Sequence, residues 1–175
     1  VNTLLKASEE FNVDLILLGA LKRENVVKFY LGSIARKITR KAKCSVLLLI
    51  NPSVERQPCQ HIVVNGFDNP QTRDTIEAAF MVAKALGSKK ISLVEEISRS
   101  KVAVAVDDDR SLRRATLKKE KLRRQEQTRV KDVVKKLPAK LTSDINWTTQ
   151  SIFGRRGYSI GCLLYTSDAA DEEDS

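Results

Sequence analysis

Gly19 and the adjacent pair Gly32 and Ser33 are the residues whose types and spacing best suit chemistry in this chain, and that chemistry is anion binding. The apolar run VDLILL at residues 13–18 leads straight into Gly19. Thirteen positions later Gly32 and Ser33 open a basic amphipathic segment. A buried strand ending in glycine, a loop and a Gly-Ser at a helix start together form a phosphate cradle. Backbone N–H groups at a helix N-terminus point outward and carry partial positive charge. Glycine lets a phosphate approach the backbone, because no Cβ stands between them.

No catalytic set accompanies this cradle. The acids at residues 107–109 read as a helix start facing Arg110 and Arg113, since hard-cation sites draw their oxygens from separate elements. His61 has no acid or nucleophile beside it in sequence and reads as a strand-edge histidine. Cys44, Cys59 and Cys162 form an odd, sparse set with neither a disulfide framework nor metal spacing. Cys44 reads as a small buried hydrophobe. Trp147 and Phe153 lie on strand-like sequence and read as core or interface. No metal site is expected.

The elements that must position the cradle follow from periodicity. Leu4, Leu5, Ala7, Ser8 and Phe11 mark the last turns of a helix, and Asn12 its stop. Residues 13–18 and 45–50 read as strands buried on both faces, since their apolar runs do not alternate. Residues 20–31 form a loop. Residues 32–41 form a helix with Ile34, Ala35 and Ile38 inward. Pro52 and Pro58 make 51–60 a linker. A second set then begins: a strand at 62–65, a turn at 66–70, and a helix at 71–86 presenting Ile76, Ala79, Phe80 and Ala83. Gly87 ends that helix. A strand follows at 91–94, and 102–106 fits either a short strand or extended loop. A long charged helix starts at 107–110 and ends near Leu137, before Pro138. An alternating strand at 145–152 precedes a turn at 154–157. Strands alternating with helices predict a mostly parallel sheet with helices on both faces.

The chain has 175 residues and 42% hydrophobic residues, which suits a folded domain with a real core. No apolar run approaches the roughly 20 residues that span a bilayer, and no basic-then-apolar leader opens the chain. A cytoplasmic protein, a piece of a longer polypeptide, is expected. The formal charge is +9. Residues 118–140 hold ten bases and three acids, a balance that attracts nucleic acid or an anionic membrane. No aromatic residue lies within that stretch, so the stacking platform of a single-strand binder is missing. It reads as a solvated helix face, so nucleic acid is not the expected partner, and a nucleic-acid binder using the Lys118–Lys140 face is the competing reading.

These residues resemble the universal stress protein family. Its signature is Gly, two residues, Gly, nine residues, Gly, then Ser or Thr. Gly19, Gly32 and Ser33 hold the first, third and fourth places, while Lys22 stands at the second glycine. The strand SVLLLI is similar to the family's closing strand, and HIVVNGFDNPQTRDTIEAAFMVAKALGSKKISLV resembles its opening strand, first helix and second strand. Residues 1–50 therefore resemble the C-terminal part of one such domain and 61–161 the N-terminal part of a second, joined by the linker 51–60, as in a clipped tandem member. Residues 162–172, CLLYTSDAADE, resemble the in-frame translation of a sequencing adapter, so 162–175 are set aside as an artefactual tail. The resemblance implies a Rossmann-like α/β fold of the adenine nucleotide alpha hydrolase-like type, with strand order 3-2-1-4-5. The two parts are expected to close into one parallel five-stranded sheet in permuted order, across a linker spanning up to ~33–36 Å.

The resemblance also implies ATP or another adenine nucleotide as ligand, held by Gly19, Lys22, Gly32 and Ser33. The Lys22 ammonium would act as a point charge on phosphate, or its side chain would fill the space left by the missing glycine. Phe67 falls where the family has an acid, and Asp68 comes one residue later. The chain is then a nucleotide-responsive stress module, not an enzyme in the usual sense, with any ATP hydrolysis slow and incidental. Its expected partners are a second copy or the tandem domain, with membrane association only through a fused transporter. The alternative is a cytosolic regulatory domain of a cation/proton antiporter or other larger protein, without nucleotide binding.

Overall fold

The computed structural model describes residues 1–20, 32–50, 58–102 and 108–154. The chain divides into two compact units, Val1–Gln57 and Pro58–Ser175.

In the first unit, α1 (Asn2–Glu10) ends at Phe11 and turns through Asn12, whose φ of 48° places it in the left-handed region that asparagine tolerates. Strand β1 (Leu15–Ala20) starts two residues later than the apolar run predicts. Helix α2 (Ser33–Lys41) and strand β2 (Ser45–Ile50) follow, and β2 pairs in parallel with β1, Leu17 opposite Leu47 and Gly19 opposite Leu49. Helix α2 buries Ala35 and Ile38, and Ile16 is buried on β1. Ile34, expected inward, is 63% exposed, because it falls one step off the packed stripe. The strands are covered on one face only. Leu15, Leu17, Leu47 and Leu49 alternate onto the other and are 49%, 58%, 45% and 37% exposed. An unbroken apolar run does not by itself say that both faces are covered.

In the second unit, β3 (His61–Asn65), α3 (Thr72–Leu86), β4 (Lys90–Ser98), α4 (Arg99–Val102), α5 (Asp109–Lys135), α6 (Ala139–Thr142) and β5 (Asn146–Gly154) follow in order. Gly87 closes α3 with φ 74°, where a glycine avoids the steric cost of a Cβ. Asp108 caps α5: its carboxylate accepts from the Ser111 N–H at 2.7 Å, and its own N–H donates to the Ser111 hydroxyl at 3.1 Å. The strands form a parallel sheet in the order β3-β4-β5. Ile76, Phe80 and Ala83 of α3 join Val130 and Val134 of α5 in one cluster with Val64, Ile91 and Leu93. Trp147 packs at its margin. Both crossovers step in the same direction across the sheet. The right-handed rule therefore sets both helices on one face, and within this unit the expected layer on each side is not what α3 and α5 build.

The expected single five-stranded sheet in order 3-2-1-4-5 is not formed. The described strands make one sheet of two and another of three. The expectation rested on apolar surface left over in each half. The second unit covers one face of its central strand with its own helices, Ile91 and Leu93 being fully inaccessible within the cluster they share with α3 and α5. Pairing along the chain also closes shorter loops than pairing between distant segments.

Candidate functional site

The site residues expected from sequence lie where β1 ends and α2 begins. Gly19 is the penultimate residue of β1. Gly32 is the N-cap of α2, with φ −51° and ψ 150°, and Ser33 is its first residue. Both are exposed. Among the described residues no side chain caps this helix, and no acid occupies its first turn. The Gly32 carbonyl accepts the first helical bond from the Arg36 N–H at 3.0 Å. The N–H groups ahead of Arg36 in the first turn have no intrahelical acceptor, as at any helix start, and among the described residues no side chain caps them. A Cβ built at Gly19 or at Gly32 meets nothing within 4 Å. Neither glycine is imposed by backbone angle or crowding within the described chain. Lys22 lies outside the described residues.

Residues 1–49 match the family model of the universal stress protein family. The match spans α1, β1, α2 and nearly all of β2, and includes Gly19, Lys22, Gly32 and Ser33. It stops short of the second unit. No curated protein and no solved structure matches the chain. The universal-stress likeness of the first unit and the parallel α/β architecture of both units therefore stand together.

The second unit holds a polar cluster that the sequence reading missed. Glu95 on β4 is 2% exposed, and its Oε1 has no hydrogen-bond partner among the described residues. Its Oε2 accepts from the Ser151 hydroxyl at 3.4 Å. Burial pushes the carboxyl up to about 7; the Arg129 guanidinium pulls it partly back, the Glu126 carboxylate adds to the rise, and the Ser151 hydroxyl lowers it slightly. Arg129 on α5 donates to the Gly66 carbonyl, pairs through Nε with Glu126 at 2.9 Å, and lies 3.8 Å from Asp68. Gly66 itself is packed closely: a Cβ there would sit 3.3 Å from Glu95 Cγ and from Val130 Cγ2. The cluster ties the end of β3 to β4 and α5. Chemically it can exchange one proton near neutrality.

Its signal in the sequence was the acid pair Glu95 and Glu96 running directly on from ISLV, which looked like the end of a strand. Both acids are inside the strand and both are buried. Arg129, 34 positions away, had no signal except its place beside Val130 and Val133 on the helix.

The remaining expectations find structural roles. His61 opens the edge strand β3 and its Nε2 lies 2.9 Å from the Ser92 hydroxyl. Cys44 and Cys59 are half-buried. The Asp108 carboxyl is held below the usual carboxylate range by the Ser111 N–H and hydroxyl, as suits a cap. No group of three His, Cys, Asp or Glu among the described residues could hold a metal ion. None of the described helices is long and apolar enough to cross a membrane.

Proposed function

We propose that the first unit is a universal-stress-type module that binds an adenine nucleotide, with ATP as the ligand, and that the chain serves stress response or regulation in the cytoplasm rather than catalysis. The observation that carries this reading is the family match over residues 1–49, which contains the whole glycine-punctuated segment. The local geometry supports it. Helix α2 starts at Gly32 and Ser33 with no capping side chain among the described residues, an arrangement that suits phosphate oxygens at its first-turn N–H groups. The Ser33 hydroxyl would add one donor, and the sequence supplies a positive charge at Lys22, which lies outside the described residues. Gly19 and Gly32 leave open the space that a side chain would occupy. Any ATP hydrolysis would be slow and incidental, as the likeness to the family implies. Self-association or tandem-domain pairing would couple the module to its output.

Equilibrium dialysis against labelled ATP tests this. Retention that unlabelled ATP competes away is expected. Gly32→Val should weaken it at least about tenfold while leaving the circular dichroism unchanged, since φ −51° suits any residue. No retention at millimolar ATP would overturn nucleotide binding and leave the regulatory-domain alternative.

A further inference from the structure

Helix α5 carries a basic face that neither the candidate site nor the core uses. Its inner side is set by Val130 and Val134, which are 0% and 3% exposed. At 100° per residue, Arg110, Arg114, Lys118 and Lys121 fall within about 40° of the opposite side, and Arg113 and Arg124 lie on its flank, about 80° and 100° from the inner side. All six are exposed. They cover about 21 Å of helix, at 1.5 Å per residue. Arg124 pairs with Glu120 at 2.7 Å. Among the described residues no ion pair engages the other five. Two further cations of α5 are turned inward instead, Lys119 and Arg123 lying 4.7 and 5.6 Å from the centre of the Phe153 ring. Phe153 on β5 thus helps to seat the front half of the helix and leaves the other bases facing outward.

We propose that this face of α5 is a docking surface for double-stranded nucleic acid, recognised through its phosphates. Charge complementarity selects a polyanion, and the rest of the face selects which one. No aromatic residue occurs between Lys118 and Lys140, which argues against single strands, whose bases need stacking partners. A duplex needs none. Leu117, 67% exposed, is the one large apolar residue on the stripe, and Leu112 falls on the other side of the helix by phase. A helix lying in a bilayer surface needs a broad apolar face instead. A straight α-helix has the width of the major groove and follows the phosphates on either side of it. The face is rich in Lys and Arg, which bind phosphates, and has no Asn or Gln between Arg110 and Arg124 to read adenine.

The test is fluorescence anisotropy of the full chain with a mixed-sequence duplex of about 20 base pairs, titrated between about 50 and 200 mM salt. The same protein is offered a single strand of equal length and vesicles of phosphatidylcholine and phosphatidylserine. Duplex affinity should fall steeply with salt. Arg113→Glu, Arg114→Glu, Lys118→Glu and Lys121→Glu together should weaken it at least about 30-fold and flatten the salt slope by roughly 4. Glutamine at the same four positions adds no repulsion within the helix and should cost about tenfold. Four reversals scattered elsewhere, at Lys6, Lys37, Arg73 and Lys89, change net charge equally and should cost less than about fivefold. Equal losses from both sets, tighter binding to the vesicles or to the single strand, or no duplex binding at the lowest salt would each overturn the proposal.

Discussion

In the first unit four leucines, Leu15, Leu17, Leu47 and Leu49, share a sheet face and are between 37% and 58% exposed. In the second, Ile91, Leu93 and Val94 on the central strand are fully inaccessible. Both units begin from the same recipe, parallel strands with a helix crossing between them. Two strands and α2 enclose one layer. A third strand and α5 add the width needed to close a core around Phe80 and Ile76. The same depth makes ionisation expensive. Glu95 sits inside the second unit and its carboxyl is shifted to about 7, whereas the buried polar residue of the first unit is a serine, Ser8, bonded to the Leu5 carbonyl at 2.8 Å. Among the described residues, packing depth, more than fold type, separates the unit that buries a carboxyl from the one that buries a serine.

The largest test of that contrast is Phe80→Ala. Phe80 is 0% exposed, and its truncation should cost about 3–5 kcal/mol. Urea unfolding followed by the fluorescence of Trp147, which packs on the same cluster, reads the loss. A cost below about 1 kcal/mol would mean that the core is loose and the comparison fails.

Next in size is Glu95→Gln. The folded carboxyl titrates near 7, above its ordinary 4.5. Between those values the folded state keeps a proton that the unfolded chain has released. The stabilising contribution is therefore complete below about pH 4.5 and is lost as pH rises through about 7. The loss is on the order of 3 kcal/mol. Urea midpoints of the parent should fall from pH 5 to pH 8, and those of the glutamine variant should stay nearly level and exceed the parent's at pH 8. Parallel pH profiles for the two proteins would remove Glu95 from the account.

The smallest effect is expected from Leu17→Ser. At 58% exposure, the change should stay within about 0.5 kcal/mol, measured by urea unfolding followed by circular dichroism. A loss above about 1.5 kcal/mol would show that this leucine face is packed, and the contrast between the units would shrink.

Much of the architecture was legible because it is written in local chemistry. Gly87, Asp108 and Pro138 bound their helices where turn and cap rules place them, and the spacing of Ile76, Phe80 and Ala83 marks the inner side of α3. Gly32 and Ser33 were placed at a helix start for the same reason. Less legible were properties that depend on what lies opposite a residue. The run 13–18 could not say which leucines would be covered, and Ile34 differs from Ala35 only in helical phase. Glu95 hides in the same way: its burial is set by Val130 and Arg129 on a helix more than 30 positions away. The joining of two half-sheets rests on leftover apolar surface, which the first unit does retain on its leucine face but which does not by itself specify strand pairing.

The Asp108–Ser111 cap has a consequence for α5 as a whole. It sets where the helical count begins, and the valines near the other end set how the rod is rotated. Between them no proline or glycine interrupts the winding. Angular position along the rod is thus inherited from one end to the other, and the outward charges keep a common bearing only while the residue count is conserved. One added residue near Gln125 would swing the forward cations by about 100° without altering the composition at all. Meaning on this helix resides in arithmetic, not in abundance.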